Sequence, residues 1–276
     1  MAVLDSNLAA AWTPDDYGNL IDIVIAEKSI AFQAGTKIVT SSATIRFPML
    51  TADAATGWYA ENEEIDLTDP TDSELVVTPT KVAGLTRISN EAAADTTPAV
   101  ADQVGRSLAR SVAKSIDAAF FSNTTANGPS GLLSLAGVNV VDTGTVTLDT
   151  LDAFHQAKAA ALADGAEITV FILAPDVALA LAQAKQGTDS NMGLLDNVGD
   201  GVTVAGVKVL VSSDVPAGNA WGLDGSQVYV VQRTGTVVAR STDAAFTADA
   251  LLVRATARVG FGFANPAGVV RLYDAA

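Results

Sequence analysis

Residues 57–81 read GWYAENEEIDLTDPTDSELVVTPTK, a run with seven carboxylates (Glu61, Glu63, Glu64, Asp66, Asp69, Asp72 and Glu74) and no base before Lys81. Between Arg46 and Lys81 the chain carries eight acids, Asp53 included, which leaves 23 of its 31 acids to face all 16 bases. This one segment therefore supplies more than half of the net charge of −15. Strand-like runs flank it, Ala43 to Leu50 before and Leu75 to Arg87 after, both rich in β-branched residues. The segment has too little apolar surface to form a core of its own, yet Trp58, Tyr59, Ile65 and Leu67 are too apolar for an idle linker. The pattern predicts a long two-stranded extension that finds its partner on another molecule.

The remainder of the chain is well able to bury a core: 49% of its 276 residues are hydrophobic and only 17% are charged. It has no cysteine, which excludes disulfides and thiolate chemistry, and His155 is its only histidine. A histidine-centred zinc cluster cannot be built within one chain, so acid–base chemistry would fall to carboxylates or lysines. The acidic balance argues against nucleic-acid binding, because the phosphate backbone rewards clustered Lys and Arg. The N-terminus lacks the pattern of a secretion signal, and the longest apolar run, Ile168 to Ala182, is interrupted by Pro175 and Asp176 and does not predict a membrane span.

Residues 1–42 read as an N-terminal arm with a short helix over Tyr17 to Ala31. The strongest helix signal spans Pro98 to Phe121, with Thr96 or Thr97 as N-cap and Asn127-Gly128-Pro129 closing the far end. Its apolar residues Val100, Val104, Leu108, Val112, Ile116 and Phe120 fall four apart, so the row drifts by about 40° per step and the two ends of the helix should pack on different surfaces. Arg106, Arg110 and Lys114 form a basic ridge opposite that row. From Gly131 the pattern alternates strand and helix. Strands are expected at Val138 to Val141, Ile168 to Leu173, Val207 to Val211 and Val228 to Gln232, with helices from Leu148 to Ala163 and from Pro175 to Lys185. Further strands follow at Val237 to Arg240, Ala250 to Val259 and Gly268 to Tyr273.

In that order, ENEEIDLTDPTDSELVVTPTKVAGLTRISNEAAADT, the long helix with SIDAAFFSNTTANGPSGLL, then FILAPDVALALAQAKQ, VAGVKVLVSSDVPAGNAWGLD and ALLVRATARVGFGFANPAGVVRLYD, the chain resembles the Hong Kong 97-type major capsid proteins of tailed bacteriophages. The resemblance covers nearly the whole length and rests on the combination of pieces. It implies an α+β fold with a peripheral domain (long spine helix plus β-sheet), an axial α/β domain, an extended β-hairpin loop and an N-terminal arm. The expected segmentation is residues 1–42 for the arm, 43–130 for the first part of the peripheral domain, 131–235 for the axial domain and 236–276 for strands returning to the peripheral domain. Within the first part, the extended loop covers about 46–87 and the spine helix about 98–121.

The function implied is a shell subunit of a double-stranded DNA phage, self-assembling into hexamers and pentamers, with the genome enclosed but not read. The virion is then its location, after assembly in the host cytoplasm, and separate scaffolding, portal and cement proteins are its further partners. No membrane, cofactor, metal or catalytic residue is expected. The family prototype joins subunits through a loop lysine and a neighbour's asparagine, assisted by a glutamate. Here residues 57–80 contain no lysine, and Gln232 to Thr242 offers neither asparagine nor glutamate, so covalent self-crosslinking is not expected. A charged helical scaffolding segment has no room before Tyr17.

Inter-subunit contacts are expected from Trp58, Tyr59 and the seven loop carboxylates, with Arg106, Arg110 and Lys114 of a neighbour as the first candidate for their basic counterpart. A loop that is acidic only for solubility is the alternative. Calcium binding lacks the D-x-D-x-D-G spacing, His155 lies without chemical partners, and Gly260-Phe261-Gly262-Phe263 does not complete a dinucleotide fingerprint. An encapsulin-type nanocompartment shares the implied fold and stands as the alternative function, with a carboxylate-based hydrolase more distant because the acids cluster on one loop.

Overall fold

A computed structural model describes residues 28–52, 56–62, 64, 67, 69, 71–89, 100–144, 148, 150–185, 203–241 and 244–275. Its skeleton is the helix α2 (Val100–Phe121), preceded by a short helix α1 (Ile30–Ala34), lying on a mixed sheet. The expected N-cap of α2 and the segment 17–27 lie outside the described residues. Leu108, Val112, Ile116 and Phe120 are buried as the four-residue spacing predicts, and Ala109, Ala113 and Phe121 widen the stripe. Each large side chain buried in this way contributes about 1.5–3 kcal/mol.

The sheet under α2 has five strands among the described residues. Strands β1 (Thr36–Thr40), β10 (Val228–Arg233), β12 (Ala250–Phe263) and β11 (Val237–Ser241) are joined in that order, and β4 (Thr80–Ser89) also pairs with β12. Leu108 of α2 approaches β4 at Gly84, where a Cβ would come within 3.0 Å of Leu108 Cδ2. At the other end Phe120 meets Phe261 of β12 edge-on, with centroids 5.1 Å apart. The expectation that the two ends of α2 pack on different surfaces is therefore corrected: both lie on one sheet, over different strands. Sheet twist offers the physical reason, since a surface that rotates along its length can follow an apolar row that winds around a helix.

A second sheet has six strands in the order β5 (Asn139–Asp142), β13 (Val270–Tyr273), β9 (Ala220–Leu223), β6 (Val170–Leu173), β8 (Val207–Val211) and β7 (Thr203–Val204). All four residues of β6 are buried, as a continuous apolar run predicts for an interior strand. Helix α3 (Asp152–Ala163) lies across β5 and β13 and sends Phe154 edge-on to Phe171, 5.1 Å between centroids. It starts at Asp152, later than the expected Leu148. Helix α4 (Pro175–Gln183) begins on its proline, where the missing N–H leaves no bond unmade.

Strand membership departs from the expected segmentation in three places. Residues 30–40, assigned to the arm, form α1 and β1, and β1 pairs in parallel with β10. β10, assigned to the axial segment, joins the sheet beneath α2, whereas β13, assigned to the returning peripheral strands, pairs with β5 and β9 in the other sheet. Which strand a segment pairs with is a non-local choice that its own alternation does not encode.

The run Leu75 to Arg87, expected as one flank, is divided at Thr78-Pro79 into β3 (Thr71–Val77) and β4. Proline has no N–H to donate to a ladder, so pairing passes at this point from one partner strand to another.

Candidate assembly surface

Among the described residues, strands β2 (Ile45–Ala52) and β3 pair only with each other, forming an antiparallel hairpin with Ile45 opposite Val77 and Phe47 opposite Leu75. A register shift between Leu50 and Ala52 marks a bulge. Such an irregularity bends the ribbon and increases its local twist. Across the ladder Arg46 Nη1 lies 3.0 Å from Glu74 Oε2, with both side chains substantially exposed. One of the seven acids is thus engaged inside its own hairpin, in a pair that contributes at most about 1 kcal/mol.

The base of the hairpin is fastened to the body by two devices. Phe47 stacks on Tyr229 of β10 with ring centroids 4.8 Å apart. Beneath β3, Gly262 of β12 leaves room for the hairpin, since a Cβ there would sit 2.6 Å from Val77 Cγ2 and 3.2 Å from Leu75 Cδ2. Gly260 does the same beneath Val77 and Pro79, at 3.0 and 3.2 Å. In the GFGF run the glycines face the hairpin while the phenylalanines alternate to the other side, where Phe261 and Phe263 meet Phe120. Sequence reading missed this role; the signal available was the period of two, placing both glycines on one face of a strand.

Beyond the ladder the described residues of the segment are open to solvent. Trp58 is 104% and Leu67 94% exposed, the fullest exposure of any described large hydrophobic residues, and Tyr59 is also exposed. Glu61, Glu64, Asp69 and Asp72 are exposed as well, and Asn62 turns the chain with φ 69°. Glu63 and Asp66 lie outside the described residues. An indole left wholly in water forgoes the burial that makes aromatic residues useful.

Of the expected basic ridge, Arg110 and Lys114 are exposed on α2, four residues apart and away from the buried stripe. The side chain of Arg106 lies outside the described residues. His155 is exposed on α3. Among the described residues no group of three His, Cys, Asp or Glu side chains is arranged to hold a metal ion, and no helix is long and apolar enough to cross a membrane.

The start of α1 is fixed by a buried carboxylate that no sequence motif singles out. Asp117 of α2 accepts hydrogen bonds from Ser29 Oγ at 2.6 Å, from the Ala31 amide at 3.0 Å and from the Ile30 amide at 3.1 Å. It thereby caps α1 from another element, satisfying amide donors that a helix start leaves unpaired. Burial pushes the Asp117 carboxyl above the usual carboxylate range. The hydrogen bonds from Ser29, Ala31 and Ile30 pull against that rise, and the charge of Asp214 adds to it.

A family model described as the phage capsid family matches residues 14–273. Among solved structures, the capsid of a native GTA particle superposes with a TM-score of 0.74 at 21% identity, covering 88% of this chain and 89% of that one. A structure from Mycobacterium phage Bobi gives 0.73 at 17% identity, covering 89% and 90% of the two chains. One from Microbacterium phage Oxtober96 gives 0.72 at 18%, covering 89% and 91%. No curated protein sequence matches. At these identities the structural likeness is one of fold.

Proposed function

Since the chain belongs to the phage capsid family, and is a major capsid protein with the Hong Kong 97-like fold, we propose that its copies close into hexamers and pentamers of an icosahedral shell around double-stranded DNA. The observation that carries this is the hairpin: Trp58 and Leu67 project fully into solvent from an acidic segment whose base is firmly fixed. A fixed base with an exposed tip is what a clasp between copies requires, because the ordering cost of the base is met before contact.

Trp58, Tyr59, Glu61, Glu63, Glu64, Asp66, Asp69 and Asp72 are the proposed contacts of the hairpin with a neighbouring subunit, with Glu74 supporting the ribbon through Arg46. Arg110 and Lys114, with Arg106 beside them in sequence, offer one basic surface for these acids. The virion component assembles, on this proposal, in the host cytoplasm with separate scaffolding, portal and cement proteins. Its acidic balance lets enclosed DNA slide past without being held. Cohesion is non-covalent, and the subunit's work is assembly, not catalysis. The encapsulin-type and hydrolase alternatives gain no support from the comparisons.

Size-exclusion chromatography followed by negative-stain microscopy of the purified protein tests the proposal. Closed shells or hexameric and pentameric capsomers are expected; a monomer under every salt and protein concentration tried would overturn it.

A further inference from the structure

The five-stranded sheet has two unlike faces. One lies under α2 and carries the buried residues Val253, Ala255, Ala257 and Val259 of β12. On the other, strand alternation places Lys81, Leu85 and Arg87 of β4 beside Arg254 and Arg258 of β12, with Val237 of β11 next to them. All four bases are exposed, and so are Leu85 at 64% and Val237 at 55%.

The pairing on this face is unfavourable for an isolated subunit. Lys81 is the direct cross-strand partner of Arg258, and Arg254 stands opposite Leu85. Like charges directly opposite on neighbouring strands destabilise a sheet. In a chain with 31 acids and 16 bases, β4, β11 and β12 together contain five bases and no acid. None of Lys81, Arg87, Arg254 and Arg258 makes an ion pair among the described residues. From Lys81 to Arg87 the patch extends about 20 Å along the strand.

Given the shell role proposed above, we infer that this basic sheet face, and not the ridge on α2, is where the acidic hairpin tip of a second copy docks. Two complementarities select that occupant. The charges match, since Glu61, Glu64 and Asp69 are exposed and unpaired among the described residues, while the bases of the face lack acids of their own. The apolar groups match as well, because Trp58 and Leu67 at the tip meet a face on which Leu85 and Val237 stand exposed between the bases. On the α2 ridge Arg110 and Lys114 are each followed by an exposed serine, Ser111 and Ser115, and among the described side chains of that helix no large apolar one is exposed. A polyphosphate backbone would use the charges but gain nothing from Leu85 and Val237. The hairpin of the same chain leaves the sheet at Gly260 and Gly262, so the stretch carrying Arg254 and Arg258 stays free for the copy beside it.

Charge exchange tests this. Four variants are compared with the unaltered chain after nuclease treatment: R254E/R258E, E61K/E64K/D69K, the two sets combined, and R110E/K114E. Far-UV circular dichroism confirms that each folds. The lowest protein concentration giving closed shells is read by light scattering and microscopy. Reversal on either the sheet or the hairpin should raise that threshold by about tenfold or more, the combined chain should recover most of it, and R110E/K114E should match the unaltered protein. In parallel, a labelled peptide of residues 57–71 is titrated against the full-length chain by fluorescence anisotropy. It should bind, more weakly as salt rises, and lose about tenfold in affinity to R254E/R258E.

Peptide binding separates the two proposals, since it holds or fails whether or not shells form. The docking inference is overturned if R254E/R258E assembles and binds the peptide like the unaltered chain, or if the combined variant shows no recovery. It is also overturned if sheet reversal leaves assembly intact but lowers retained nucleic acid, which would make DNA the occupant.

Discussion

Ser29 and Asp117, 88 positions apart in sequence, share a hydrogen bond of 2.6 Å in which the serine hydroxyl donates to Oδ1 of the carboxylate. Together with the amides of Ile30 and Ala31 it ties the beginning of the described chain to the last third of α2.

Asp117→Ala should destabilise the unassembled subunit by about 2–4 kcal/mol, because it leaves a buried hydroxyl and two amides without an acceptor. Ser29→Ala removes one partner only and should cost about 1 kcal/mol. Urea denaturation of the subunit measures both; equal and negligible losses would show that water replaces the carboxylate.

The same group sets a pH dependence of unusual sign. Burial raises the native carboxyl above its unfolded value, so between the two values the native state holds a proton that the unfolded chain has released. Stability from this site therefore falls as pH rises through that window, and the cost is fully present above the raised value. Comparing the unaltered chain with Asp117→Asn isolates the site from the other acids. The stability of the unaltered chain relative to the variant should increase as pH is lowered from neutral toward the ordinary carboxylate range; a constant difference would refute a raised native value.

Gly262→Val tests the seat of the hairpin. The new side chain would collide with Val77, whose Cγ2 already stands 2.6 Å from the Cβ position. Overpacking of this kind typically costs about 1–3 kcal/mol. The long strand should survive and the hairpin tilt, so folding is retained by circular dichroism while shell formation is impaired. Shells of normal yield and diameter would show that the hairpin tolerates the displacement.

Trp58→Ala should separate stability from assembly. The side chain is fully exposed, so removing it should change subunit stability by less than about 0.5 kcal/mol. If the indole enters a pocket on a neighbour, its loss should weaken each contact by about 2 kcal/mol or more. Thermal denaturation and the assembly threshold give the two readings, and an unchanged threshold would remove Trp58 from the interface.

Boiled, denatured shells should migrate as a single 28.1 kDa band. The hairpin from Gly57 to Thr80 has no lysine, and Lys81 stands in β4 opposite Arg258 instead of at the tip. A ladder of multiples would reveal covalent linkage by another pair of groups.

Local chemistry made much of this protein legible. The four-residue apolar spacing fixed α2 because 3.6 residues per turn gathers such positions on one side of a rod, and Leu108 to Phe120 are buried accordingly. Alternation and β-branching located β2, β4, β8 and β12, and the density of acids in residues 57–81 marked the projecting tip. Less was legible where the signal was weak or interrupted. β9, reading AWGL amid turn residues, is not among the strands expected from the sequence, and β1 falls within the expected arm.

Sequence alone determined the long helix, most of the strands and the acidic extension, since those properties depend on neighbours within a few positions. Only the tertiary structure decided that β10 and β13 exchange the sheets expected of them, that Asp117 serves Ser29, and that Lys81 faces Arg258. Each of these joins residues tens to hundreds of positions apart. Such meetings are selected by the packing of the whole chain, because no local preference distinguishes one distant partner strand from another.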